Sequence, residues 1–154
     1  MKREYKFPKI VYKRKNMKRA VITGIGAVTP VGNNVADFWE NLKNGKSGAA
    51  AITKFDTALH KTKFACEVKN FDPLQIMDKQ EARKLDLFTQ YALVATHECI
   101  KDSGIDLEKT DKNMVGVIIA TGMGGMSTFE DEILNFGQNG RIPRFGPFFL
   151  GLHC

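Results

Sequence analysis

The sequence is poor in the residues that build disulfide frameworks and metal centres. Its three cysteines, Cys66, Cys99 and Cys154, form no close pair and no Cys-x-x-Cys. Neither a disulfide scaffold nor a zinc site is indicated, and a reducing compartment fits. The three histidines, His60, His97 and His153, stand at no ligand spacing from Asp or Glu and read as structural or solvated. Long apolar runs are missing as well. Val115 to Ala120, broken by Gly116, falls far short of the roughly 18 residues of a membrane helix. The charged N-terminus lacks the apolar stretch of about 7 to 15 residues that a secretory signal needs. Together these absences point to a cytoplasmic chain without a membrane segment.

What is present suits one soluble globular unit: 154 residues, 43% hydrophobic and 26% charged. The net charge of +6 is unevenly placed, because residues 1–19 hold nine Lys or Arg against the single acid Glu4. The remainder carries 14 basic and 16 acidic side chains, a net of −2, so no global field favours nucleic acid. Residues 1–17 therefore read as a basic, unstructured leader, with Met17 an alternative start. A phosphate-binding arm is the weaker reading.

Beyond the leader, Ala20-Val21-Ile22 is strand-like and runs into Thr23-Gly24-Ile25-Gly26, with Pro30 and Gly32 stopping it. Asn33 or Asn34 caps a predicted helix whose Val35, Phe38, Trp39 and Leu42 share one face, with Gly45 at its end. Thr62 to Val68 is a short strand candidate. Asp72-Pro73 starts a short helix, and Asp78 with Glu81 opens the longest one, running to about Asp102 before Ser103-Gly104 ends it. Its apolar residues spread beyond one stripe, which marks a helix covered on more than one side. Met114 to Ala120, rich in β-branched residues, predicts a buried parallel strand. Ser127 and Glu130 have capping-box spacing for a last helix, ended by Gly137 to Gly140. Strand, helix, helix, strand, helix defines an α/β fold.

No catalytic set emerges from these residues. Gly24, Gly26 and Gly32 are spaced wrongly for a dinucleotide fingerprint, Pro30 interrupts the approach to the helix, and no acidic residue ends a second strand about 20 residues on. A tight turn at a strand end explains the glycines better. Cys99 lies on an apolar stripe, and Cys154 has no following helix to depress its pKa.

An ordered series of motifs carries more. Ala20-Val-Ile-Thr-Gly-Ile-Gly-Ala-Val-Thr-Pro-Val-Gly32 is followed by Phe38-Trp39, Gly48, Phe55-Asp56-Thr57 and Arg83-Lys84-Leu85-Asp86. Ala120-Thr-Gly-Met-Gly-Gly125 and Pro147-Phe148-Phe149 come next. Residues 18–149 thereby resemble the start of the elongating β-ketoacyl-acyl carrier protein synthases of fatty-acid synthesis. The resemblance implies a partial thiolase-like fold, the N-terminal part of the first half of an αβαβα sandwich. It implies a family reaction, decarboxylative Claisen condensation of an acyl thioester with malonyl carrier protein, that needs no cofactor and no metal. It also implies homodimers and acyl carrier protein as partner. The family's nucleophilic Cys and its catalytic His and Lys lie beyond the Pro-Phe-Phe motif, so no catalytic residue is expected in this chain.

Residues 150–154, which leave the family pattern, read as an aberrant, truncated C-terminus. A fragment inactive alone is the resulting expectation; the alternative is a non-catalytic module binding acyl carrier protein or a full-length synthase. By the same resemblance Met123 and Phe149 are expected at the acyl pocket. Lys79, Arg83, Lys84, Arg141 and Arg144 are expected to meet the carrier protein.

Overall fold

The computed structural model describes residues 19–140. Helix α1 spans Val35–Lys43 and is capped by Asn34, whose side chain accepts the Asp37 N–H at 2.8 Å. Asp37 in the first turn and Lys43 in the last complement the helix dipole. The chain leaves α1 through Asn44 and Gly45, the latter at φ +65, a left-handed conformation suited to glycine. Strands β1 (Ala50–Ala51) and β2 (Phe64–Ala65) pair antiparallel, Ala50 opposite Ala65. The strand expected over 62–68 is thus present but short. Its hairpin is extended by the Ile52 N–H, which donates to the Lys63 carbonyl at 3.1 Å.

Asp72 caps a 3-10 turn over Pro73–Gln75, where proline's missing N–H is no loss. The single long helix expected from Asp78 is in fact two. Helix α2 (Lys79–Ala82) starts at Asp78, which accepts both the Gln80 and Glu81 N–H groups. Helix α3 (Leu87–Ser103) starts afresh at Asp86, held extended at φ −64, ψ 155 with its carboxylate on the Phe88 N–H. An aspartate side chain competes with the backbone for such N–H groups, and here it restarts the helix. Gly104 ends α3 at φ +64, as the sequence predicts.

Helix α4 spans Met126–Gln138. The Ser127 capping box does not form: the cap is Gly125 at φ +76, with no side-chain hydrogen bond. That left-handed glycine turn starts the helix at Met126, which places Ser127 inside its first turn rather than before it.

The segments 20–22 and 114–120, expected as strands, join no ladder among the described residues, where β1 with β2 is the only sheet. Asp111 instead caps a 3-10 turn over Lys112–Met114. A strand exists only through its neighbours, and here the β-branched side chains have none: Ile22 is 85% exposed, Val117 75% and Ile118 96%. Covering one such side chain would stabilise the fold by about 1.5–3 kcal/mol. Among the described residues, Met77 and Ala82 are the buried hydrophobic residues.

Packing contacts gather on α3 from more than one side, but none of its residues is fully buried, so the covering expected from its apolar spread is incomplete among the described residues. The Gly24–Ala27 segment lies on it near Ala95 and Cys99. Phe71 packs edge-on against Tyr91, ring centroids 4.6 Å apart. Gly124 sits over Phe88.

Candidate functional site

The basic residues expected to meet a carrier protein converge on the corner between α2 and α3. Lys79 opens α2, Arg83 is its C-cap and Lys84 follows in the turn; all three are exposed. Gln90 fixes the corner from one turn inside α3. Its amide donates to the Leu85 carbonyl at 2.9 Å and to the Ala82 carbonyl at 3.0 Å, the latter shared with the Leu85 N–H, so both ends of the turn at the helix break are held. The ion pairs among the described residues are Lys43–Glu40, Lys109–Asp106 and Lys112–Glu108, none of which uses the corner cations. Three exposed positive charges on a backbone tied at two points can receive an acidic surface.

Met123 lies on the turn that precedes α4, and this turn is bound to the same end of α3. A Cβ on Gly124 would come within 2.8 Å of the Phe88 ring, so only glycine lets the turn lie on it. Asp86 uses its second carboxylate oxygen to accept the Thr128 hydroxyl, which ties α4 to the cap of α3. Met123 itself is 75% exposed. The first turn of α3 therefore anchors both the basic corner and the Met123 turn. Phe149, Arg141 and Arg144 lie outside the described residues.

Sequence reasoning overlooked a second constellation, on the last turns of α3. Glu98 accepts the Ala27 N–H at 2.9 Å on one oxygen and the Val35 N–H at 2.8 Å on the other. Four residues on, Asp102 accepts the Ile25 N–H at 2.9 Å, and the Cys99 thiol donates to the Gly24 carbonyl at 3.3 Å. Gly24 and Gly26 serve this contact and not a tight turn: neither has positive φ. A Cβ on Gly26 would lie 1.8 Å from the Ala95 carbonyl oxygen. The arrangement also removes dinucleotide binding, because Glu98 already occupies the N-terminus of α1 with negative charge. The signal was the i, i+4 pair of acids, Glu98 and Asp102, in the last turns of the helix.

Glu67 and Tyr91 are among the titrating groups that respond to their surroundings. The Thr53 hydroxyl holds the Glu67 carboxyl below the usual carboxylate range, donating at 2.7 Å. Burial, then the Glu67 charge, pushes the Tyr91 phenol up. Among the described residues no group of three or more His, Cys, Asp or Glu could hold a metal ion, and no helix is long and apolar enough to cross a membrane.

Comparison with known proteins gives one consistent answer. Residues 17–147 match the β-ketoacyl synthase, N-terminal domain family. The chain is 43% identical over 136 residues to 3-oxoacyl-[acyl-carrier-protein] synthase 2 of Staphylococcus aureus (strain COL), covering 86% of this chain and 32% of the relative. The enzyme of the same name from Coxiella burnetii is 40% identical over the same shares. Among solved structures, the ishigamide ketosynthase/chain length factor superposes with a TM-score of 0.65 at 25% identity, over 83% of this chain and 32% of that one. A type II polyketide acyl-carrier protein in complex with its ketosynthase bound to the hexaketide gives 0.64 at 27% identity, over 83% and 34%. The chain spans about a third of the length of these relatives. The partial thiolase-like α/β fold is the one these ketosynthases share with it. By the match of residues 17–147, the chain belongs to the β-ketoacyl synthase family, in that family's N-terminal domain.

Proposed function

We propose that this chain forms the N-terminal part of an elongating 3-oxoacyl-acyl carrier protein synthase of fatty-acid synthesis. The match over residues 17–147, with 43% identity to an elongating synthase, carries the reading. In the reaction the family resemblance implies, malonyl carrier protein loses carbon dioxide, and the carbanion so formed attacks an acyl thioester and expels its thiolate. The groups that hold the acyl chain and promote decarboxylation come from the part of the fold that this sequence does not match. This chain contributes a docking corner and one wall of the acyl pocket.

Lys79, Arg83 and Lys84 receive the acidic carrier protein, a role that the family resemblance extends to Arg141 and Arg144. The support is their exposure, their lack of ion pairs among the described residues, and a backbone held by Gln90. Met123 and Phe149 line the acyl pocket near a homodimer interface. The working compartment is the cytoplasm, where carrier-protein thioesters are used.

The test is a graft of residues 17–147 in place of the matched third of the S. aureus synthase, carrying Arg83→Glu and Lys84→Glu. Relative to the unsubstituted graft, KM for carrier protein rises about tenfold or more while kcat holds, as expected for lost steering and docking charge. Unchanged KM removes the docking role.

A further inference from the structure

We infer that Thr128, through its hydrogen bond to Asp86, is a positioning residue that sets how long an acyl chain the synthase accepts. The inference rests on the proposed function, which puts the carrier protein on the corner between α2 and α3 and Met123 at the wall of the acyl pocket.

Both places are tied to one turn of helix. Asp86 divides its carboxylate between two duties: Oδ1 accepts the Phe88 N–H at 3.2 Å and starts α3, while Oδ2 accepts the hydroxyl of Thr128 in the first turn of α4. Asp86 stands two residues after Lys84, on the backbone that Gln90 holds through the Ala82 and Leu85 carbonyls. From the same turn the Phe88 ring meets Gly124, where a Cβ would come within 2.8 Å. Met123, directly before that glycine, is thus indexed to α3 by a ring contact beside it and a hydrogen bond just beyond it. Because α4 begins without a side-chain cap hydrogen bond, the Thr128 hydroxyl fixes its first turn from outside. A hydroxyl on a carboxylate is among the stronger hydrogen bonds of a protein, which makes this tie a stiff one.

Stiffness at this point has a chemical consequence. A pocket filled by a docked carrier protein measures the acyl chain between the docking point and the far wall. With both ends fastened to the start of α3, that span is held constant. A fixed apolar wall discriminates one methylene by about tenfold or more, and a wall that yields discriminates less.

The test uses the graft of residues 17–147 in the S. aureus synthase. Thr128→Val keeps the shape of the side chain and removes the donor, while Asp86 still caps α3. Each enzyme receives a mixture of two acyl carrier proteins, the longest that the unsubstituted graft elongates and one two carbons longer. The product ratio reads the discrimination in kcat/KM, and the fraction of folded enzyme does not move it. Thr128→Val should lower that discrimination about fivefold or more while KM for carrier protein holds. Thr128→Ser, which returns the hydroxyl, should restore the ratio. In the full 154-residue chain, amide exchange at Phe129, whose N–H donates to the Gly125 carbonyl at 2.9 Å, should quicken about threefold or more with valine and not with serine. An unchanged ratio with Thr128→Val, or a Thr128→Ser enzyme that behaves as the valine variant does, would overturn the inference, while condensation by the unsubstituted graft left the family function standing. A folded unsubstituted graft that forms no product would overturn the family reading and this inference with it.

Discussion

Glu98 is a single side chain that fastens two elements to a third. Each carboxylate oxygen takes one backbone N–H, Ala27 on one side and the first residue of α1 on the other. Glu98→Ala leaves both donors without their partner in a half-buried place, at a cost of about 1–3 kcal/mol. Urea unfolding should show that loss, and amide exchange should quicken at Ala27 and Val35 while Gln90 on α3 is unaffected. A pair of glycines separates two kinds of glycine requirement. Gly104→Ala meets open space but a left-handed backbone, and should cost about 1 kcal/mol. Gly26→Ala drives a methyl into the Ala95 carbonyl and should detach the 24–27 segment, seen as loss of protection at Ile25 and Ala27.

Glu67 sets a pH dependence with a definite sign. Its folded pKa is lowered, first by the Thr53 hydroxyl. Its stabilising effect is therefore present above the unfolded value of about 4.3 and is lost as pH falls through the lower folded value. The Thr53 amide resonance should shift with a midpoint below the ordinary glutamate value of about 4.3. A shift centred at or above the ordinary glutamate value would contradict the assignment.

At the scale of elements, the sequence made some parts legible and concealed others. The α1 cap, the Asp72-Pro73 turn and the glycine stop of α3 were readable, because caps and stops act within a few residues, whereas α4 was readable as a helix but not by its cap. The break between α2 and α3 was not, since apolar spacing runs straight through it and only the extended backbone of Asp86 makes the corner. The two strand-like segments show the opposite failure. Their composition is right, but pairing depends on partners distant in sequence, and the described residues supply none. Likewise the basic residues were recognisable as charges, whereas the Gln90 anchor beneath them had no local signal. Gln90→Ala should leave α3 helical and loosen the corner: destabilisation of about 1–2 kcal/mol, with faster exchange at Arg83 and Lys84. Equal exchange in the two proteins would show that the corner stands without it.

At the scale of the whole molecule, one physical fact governs the rest. The described residues bury little: α3 is contacted from several sides, yet the apolar runs before and after it face solvent. A fold whose relatives are about three times as long explains both at once. Local contacts, such as caps, clasps and the corner, form among the described residues, while the apolar runs 20–22 and 115–119 stay exposed. On the proposed function, this local framework is the working N-terminal part of an elongating synthase. Turnover of the unsubstituted graft tests it most directly, with residues 17–147 replacing the matched third of the S. aureus enzyme and with acyl- and malonyl-loaded carrier proteins as substrates. The expected products are 3-oxoacyl carrier protein and carbon dioxide in equal amounts, at a rate within about tenfold of the parent, a barrier change of about 1.4 kcal/mol. A graft that folds with the parent's circular dichroism and melting behaviour, yet forms no condensation product, would contradict it.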